Sequence, residues 1–313
     1  MNKKIRALLL FSGGLDSLLA AKLLEKQNIE ISGLTISIPY FNVEQTKKRA
    51  EQINLPLRIV DVSQEHLEML KKPKHGYGEN MNPCIDCHIL MLKTAKEIME
   101  KEGYDFVATG EVLGERPMSQ NKGALNLIRK ESGLNGYLLR PLSAKLLELT
   151  IPEEKGWVKR DELLDISGRS RKRQMELAEK FNLKEYPIPS GGCLLTDPQF
   201  SKRLKELLDK KPEASLNDVK LLKYGRHFWE DDNLIIVGRY EEDNKNILNL
   251  AQENDILMEL KDYPGPTILI RGENPESSLQ KGSELAKYYS TKARKLKDVE
   301  MKYWKPGGKS LTL

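Results

Sequence analysis

The chain of 313 residues contains three cysteines, unevenly spaced. Cys84 and Cys87 form a C-x-x-C within "NPCIDCH", and Cys193 lies far downstream in "PSGGCLLTD". Two thiols at that spacing can act as a redox pair, whose place at a helix start would lower one thiol's pKa. They can instead carry and resolve a persulfide, or join Cys193 as metal ligands. A structural zinc takes four protein ligands, often from two C-x-x-C pairs. Only one pair is present, and His88, directly after Cys87, is poorly spaced for the same tetrahedron. A [4Fe–4S] cluster takes one cysteine per iron, so three cysteines would leave one iron open.

A second constellation is "FSGGLDS", Phe11 to Ser17. Gly13 and Gly14 allow a tight turn that presents N–H groups, Ser12 and Ser17 add hydroxyls, and a helix N-terminus adds partial positive charge. Together they suit phosphate. Asp16 fits among phosphates chiefly if Mg²⁺ stands between. The same residues also suit a plain strand-to-helix turn with an aspartate in the first helical turn. Neither G-x-x-x-x-G-K-[ST] nor G-x-G-x-x-G is present.

Positioning these groups requires alternating elements. "RALLLFS", "EISGLTISI", "LPLRIVDVS" and "DFVATGE" read as strands. "DSLLAAKLLEKQ", "VEQTKKRAEQI" and "CHILMLKTAKEIMEKEG" read as the intervening helices. The expected fold class is therefore α/β, a parallel sheet with helices on both faces and its ligand beyond the carboxyl ends of the strands. From residue 145 to 205 the pattern is helical and basic and carries the third cysteine. A polar linker follows, and residues 216–313 read as a smaller α+β domain with "NLIIVGRY", "PTILIRG" and a basic helix "KGSELAKYYSTKARKLK".

Composition is that of a soluble globular protein, 39% hydrophobic and 31% charged. The apolar run in "IRALLLF" is too short to span a membrane and no A-x-A pattern follows, so a cytoplasmic protein is expected. The sparse, odd cysteine count argues against a secreted disulfide scaffold. Net charge is only +5, but Arg169, Arg171, Lys172 and Arg173 cluster in "GRSRKRQ", and the segment from Lys281 onward is basic. Such patches favour a polyanion such as RNA.

"SGGLDS" resembles the SGG-x-DS signature of the PP-loop ATP pyrophosphatases, which adenylate a substrate carbonyl and release pyrophosphate. "ATGEVLGERPMSQN", "CIDCHILMLKTA" and "LLRPLS" resemble segments of tRNA 4-thiouridine synthases. "NPC-x-x-C" and "GGCLLTD" are similar to segments of tRNA 2-thiouridylases. The resemblance spans about residues 5–205 and implies a PP-loop thiolation domain over 1–205. It places the phosphates of ATP, with Mg²⁺, at Ser12, Gly13, Gly14, Asp16 and Ser17. Adenine would lie near Thr35 and Ile36, and Lys93, Gly110 and Gln120 would complete the site. It implies an ATP-dependent tRNA uridine sulfurtransferase, with rRNA as an alternative substrate and sulfide or a cysteine desulfurase as sulfur source. Cluster-dependent PP-loop thiolases use a C-x-x-C plus one distant cysteine, which implies a [4Fe–4S] cluster on Cys84, Cys87 and Cys193. Gly191 and Gly192 would let the backbone pass such a cluster. Persulfide thiolation without a cluster, and a non-catalytic RNA-binding quality-control factor, are the alternatives.

The 4-thiouridine synthases carry an RNA-binding region ahead of the loop, whereas here the loop begins at Ser12, so RNA capture is expected elsewhere. "LLKYGRHFW", "LIIVGRYEEDN" and "PTILIRG" resemble the NFACT-type RNA-binding domain. Arg226, His227, Phe228, Trp229, Arg239 and Arg271 are the candidates for stacking on bases and contacting phosphates. Oligomeric state and the choice between 2-thio and 4-thio products are not legible.

Overall fold

The computed structural model describes residues 4–41, 43–186 and 193–313. The chain forms two compact units, Met1–Thr196 and Asp197–Leu313. The boundary falls before the expected residue 205, so the last basic helix belongs to the C-terminal unit.

In the N-terminal unit the elements are β1 (Arg6–Leu10), α1 (Leu15–Glu25), β2 (Glu30–Ser37), α2 (Val43–Gln52), β3 (Leu57–Asp61), α3 (Ser63–Lys71), α4 (Cys84–Glu102), β4 (Phe106–Thr109), α5 (Lys122–Glu131), β5 (Leu138–Leu139), α6 (Ile151–Glu154) and α7 (Lys172–Lys180). The strands form one five-stranded sheet in the order β3-β2-β1-β4-β5. All of its pairings are parallel. Residues on β1 alternate between two cores. Ala7 and Leu9 face α1 and α7, and Leu8 faces α4. Burial on both faces explains why "ALLL", Ala7 to Leu10, is apolar throughout rather than alternating. Strand order reverses between β1 and β4, which is where such a sheet opens a ligand crevice.

The C-terminal unit contains α8 (Pro198–Lys210), α9 (Leu216–Leu221), β6 (Arg226–Glu230), β7 (Asn233–Val237), α10 (Glu241–Leu250), β8 (Ile256–Leu260), β9 (Ile268–Arg271), α11 (Leu279–Tyr289), β10 (Met301–Trp304) and β11 (Leu311–Thr312). Its six strands run in the order β11-β10-β8-β9-β7-β6. Every pairing is antiparallel. Ile235 and Val237 pack toward α11, while Leu234 and Ile236 pack toward α9 and α10. The two-residue period thus buries both faces of β7 between helices. No helix among the described residues is long and apolar enough to cross a membrane.

Candidate active site

The glycine loop leaves β1 at its carboxyl end. Gly13 has φ +72°, a left-handed conformation that suits glycine, and a Cβ there would press on Thr46 Cα at 3.2 Å. Three successive loop carbonyls are held from outside. Thr35 Oγ1 donates to the Phe11 carbonyl at 2.7 Å, Thr46 Oγ1 to that of Ser12 at 3.2 Å, and Arg49 to that of Gly13 at 3.4 Å. Thr35 therefore braces the loop, and Ile36 is a core residue. On the inner side the Gly14 N–H donates to Ser12 Oγ at 3.3 Å, and Ser17 Oγ donates to the Gly14 carbonyl at 2.8 Å. Gly110, directly after β4, closes the other wall of the crevice against the backbone of Asp16 and Ser17.

Asp16 is the chemically unusual member. Its Oδ1 is buried with no hydrogen-bond partner among the described residues. Burial pushes its pKa up, while Arg171, Gln174 and Arg116 pull it down. An orphaned buried acceptor costs about 1–3 kcal/mol. A desolvated carboxylate oxygen without a donor is the kind of ligand Mg²⁺ takes, so Asp16 fits that ion. Glu115 is close enough to Asp16 to have its pKa raised too, mainly by burial and then by that neighbour.

Two cations beside Asp16 were not placed there by sequence reasoning. Arg171, read as part of an RNA patch, acts on Asp16 across the packed helices α1 and α7. Arg116 is carried by the turn that Gln120 organises, with Gln120 Oε1 accepting from the Arg116 N–H at 3.0 Å. Gln120, expected at the nucleotide, is thus a brace for Arg116. Lys93 is exposed on α4, and helix rise puts it ~13 Å along the axis from Cys84. The rest of the basic run stays outward. Arg169 and Lys172 are exposed, and Arg173 pairs with Asp165 at 2.7 Å.

All three cysteines are free. They share one neighbourhood, since Cys193 raises the pKa of both Cys84 and Cys87, and Cys84 raises that of Cys87. Burial is the largest cause in each case, and it pushes the Cys87 thiol up to about 12. This reverses the expectation that the helix start would lower one of these thiols, because desolvation and neighbouring negative charge outweigh the helix field. Burial holds all three sulfurs toward the neutral thiol form, and ionising them together would require a compensating cation. Among the described residues no group of three or more His, Cys, Asp or Glu is placed to hold a metal ion. Gly191 and Gly192 lie outside the described residues. Arg116 reaches the thiols as well as the loop, lowering both Cys84 and Asp16.

A buried network behind the cysteines escaped sequence reasoning. Glu111 accepts from Arg140 Nε at 2.8 Å and pairs with His88 Nδ1 at 2.8 Å. Despite full desolvation, Arg140 and His88 hold its carboxyl well below the usual range. Asp86, between the cysteines, pairs with His75 at 2.9 Å and fixes the segment before α4. On the far side, half-buried Tyr40 sits near Cys193 and meets His66 edge-on at 5.6 Å. Only the quoted stretches "TGE", "LLRPL" and "CH" pointed toward these positions.

In the C-terminal unit Arg226 is exposed, with its guanidinium 4.5 Å from the Tyr289 ring. Phe228 lies 6.2 Å from the same ring, and Tyr288, 68% exposed, is edge-on to it at 4.9 Å. Arg239 is partly exposed and paired with Asp243 at 2.7 Å. Arg271 departs from its expected role as an RNA contact. It is 7% exposed, and its donors are taken by Asp255, Asp218, Asn217 and the Leu250 carbonyl. His227 is largely desolvated, with Nε2 at 3.4 Å from the Leu221 carbonyl. Trp229 packs in the α10-side core, with Lys210 over its ring at 5.2 Å.

A glycine loop at the switch point of a parallel sheet, with a desolvated aspartate in the first turn of the following helix, defines an α/β domain with a PP-loop-like fold. Residues 3–146 match the family model described as Thiamine biosynthesis protein (ThiI), and residues 225–312 match the NFACT protein RNA binding domain. The N-terminal unit thus carries a ThiI-family PP-loop domain, and the C-terminal unit an NFACT-type domain. The chain is 28% identical over 252 residues to tRNA-specific 2-thiouridylase MnmA of Petrotoga mobilis, covering 72% of this chain and 65% of that protein. It is 26% identical over 257 residues to tRNA-specific 2-thiouridylase MnmA of Clostridioides difficile, with the same coverage of 72% and 65%. The chain therefore spans 65% of the length of these relatives. Among solved structures it is similar to a 4-thiouridine synthetase–RNA complex with bound ATP, at 20% identity and TM-score 0.41, over 69% of this chain and 52% of that one.

Proposed function

We propose that the protein is an ATP-dependent RNA thiolase that exchanges a uridine carbonyl oxygen for sulfur, with tRNA as substrate. The observation that carries this reading is the buried, orphaned Asp16 Oδ1 beside a glycine loop at the carboxyl end of β1, with Arg116 near enough to lower the pKa of both Asp16 and Cys84. The relatives named as tRNA 2-thiouridylases support the substrate class.

In this reaction the uridine oxygen attacks the α-phosphate of ATP and pyrophosphate leaves. A sulfur nucleophile then adds to the activated carbon, and AMP departs with the oxygen. Asp16 would hold Mg²⁺, and the Gly13–Ser17 backbone and Ser17 hydroxyl would orient the phosphates. Arg116 offsets negative charge where the two half-reactions meet. Cys84, Cys87 and Cys193 would hold a [4Fe–4S] cluster, whose open iron supplies a site for hydrosulfide. Arg226, Phe228 and Tyr289, with exposed Arg169, Lys172 and Arg173, would bind the RNA. Sulfide or a cysteine desulfurase is the sulfur source.

A second reading is persulfide transfer among the same thiols, supported by the neighbourhood that Cys84 and Cys87 share with Cys193. Anaerobic purification separates the two. About four irons per chain with absorbance near ~400 nm, lost in Cys84→Ala, supports the cluster. A colourless anaerobic protein that thiolates RNA with a desulfurase alone supports the persulfide. Nucleoside mass spectrometry identifies the 2-thio or 4-thio product. Asp16→Ala retaining full thiolation would overturn both readings.

A further inference from the structure

Of nine buried side-chain polar atoms without a partner among the described residues, four belong to Asp16, Arg171 and Gln174. Gln174 is 0% exposed, and both its amide nitrogen and its amide oxygen are unpartnered. Arg171 contributes its buried Nε. Arg171 is the N-cap of α7 and Gln174 lies in its first turn, and α7 packs on α1. Farther along the helix Ala178 joins the same core as Leu15, Leu18 and Leu19, which fixes the phase of the helix against the glycine loop. The Arg171 charge acts on the Asp16 carboxyl, and the Gln174 amide lies near enough to lower its pKa as a hydrogen-bonding neighbour while falling short of good hydrogen-bond geometry. A buried amide without a well-formed hydrogen bond is unusual in a packed interior, and here it neighbours a carboxylate with one orphaned oxygen and a guanidinium with one orphaned N–H.

Two kinds of partner are missing at once. Arg171 Nε–H and the Gln174 NH₂ need acceptors, whereas Asp16 Oδ1 and the Gln174 carbonyl need a cation or donors. A magnesium-bound polyphosphate supplies both. We propose that Arg171 and Gln174 of α7, beyond the 3–146 segment that matches the PP-loop family, form the outer wall of the nucleotide site and bind the magnesium pyrophosphate portion of ATP. This rests on the nucleotide reading above and extends it to α7. Arg171 and Gln174 are then determinants of both ATP binding and inhibition by the pyrophosphate product.

The test uses the full chain with two probes, magnesium pyrophosphate and Mg·ATP, measured by titration calorimetry alongside thermal unfolding. Gln174→Met keeps the volume and removes both polar atoms. It is expected to weaken magnesium pyrophosphate at least tenfold while raising the unfolding midpoint of the unliganded protein. A purely structural glutamine would move the midpoint down and leave affinity unchanged. Arg171→Lys keeps the charge without the Nε donor and is expected to raise KM for ATP more than it lowers kcat. Glu176→Ala, on the exposed face of α7, is the control with unchanged binding. Wild-type protein that binds both probes, with Gln174→Met and Arg171→Lys binding equally tightly, overturns the α7 assignment alone. Wild-type protein that binds neither probe overturns the nucleotide reading and this proposal together.

Discussion

Gly110 lies against Asp16 so closely that a Cβ built on it would stand 2.6 Å from the Asp16 carbonyl carbon. The contact is with backbone, so no side-chain rotation relieves it. Gly110→Ala must push β4 and the glycine loop apart. Overpacking of this kind costs about 1–3 kcal/mol. Urea unfolding of the N-terminal unit should show that loss, and pyrophosphate release should show a raised KM for ATP.

Asp16, the proposed Mg²⁺ ligand, is also a source of local instability. Its desolvated carboxylate is held at a raised pKa, so the charged form is disfavoured in the unliganded fold. Asp16→Asn should leave unliganded stability equal or higher while abolishing Mg·ATP-dependent pyrophosphate release. Thermal scans with and without Mg·ATP check both halves. A variant that loses stability without the nucleotide would make Asp16 structural.

Glu111 and Arg140, 7% and 5% exposed, form a buried pair shared with His88. Removing one partner strands the other charge. Arg140→Leu should cost about 3–5 kcal/mol. The pair Glu111→Gln/Arg140→Leu should recover part of that loss, read as the coupling in a double-mutant cycle of denaturation midpoints.

His66 is 1% exposed with both ring nitrogens unpartnered among the described residues, and burial lowers its pKa from 6.5 to about 4. The unfolded chain therefore binds the extra proton more readily than the native one between those values. Its stabilising effect is complete above pH 6.5 and is lost as pH falls toward 4, by about 3 kcal/mol. His66→Phe should flatten the acid limb of N-terminal-unit stability, followed by urea midpoints between pH 7 and 4.

In the C-terminal unit, Arg226→Ala and Tyr289→Ala should weaken RNA binding, the former with a shallower salt dependence as one phosphate contact is lost. Arg271→Ala should unfold the unit instead, because Asp218 and Asp255 lose their shared counter-charge. Filter binding at several salt concentrations, with circular dichroism on each variant, separates the two effects.

The parallel sheet was legible because "RALLLFS" and "DFVATGE" are short apolar runs flanked by helical patterns, and both are strands of the core. The glycine loop was legible because its chemistry is local. Groups meeting across the sheet were not. Glu111, Arg140 and His88 lie on three elements, and no spacing announces their convergence. "GRSRKRQ" read as one basic patch because composition carries no helix phase. Folding turns Arg171 toward Asp16 and leaves Arg173 outside. Arg271 looked like an RNA contact because the carboxylates that take its charge, Asp218 and Asp255, are distant in sequence.

The placement of β1 between β2 and β4 has a further consequence during synthesis. A chain emerging from its N-terminus can pair β1 with β2 early, but the other edge of β1, with its Leu8 and Leu9, waits until Phe106–Thr109 has been made. Until then the nascent chain presents an apolar, unpaired strand edge, a template for association with other chains. The strand that completes the crevice is also the one that closes this edge, so burial of the nascent chain's sticky margin and assembly of the glycine-loop crevice are one event.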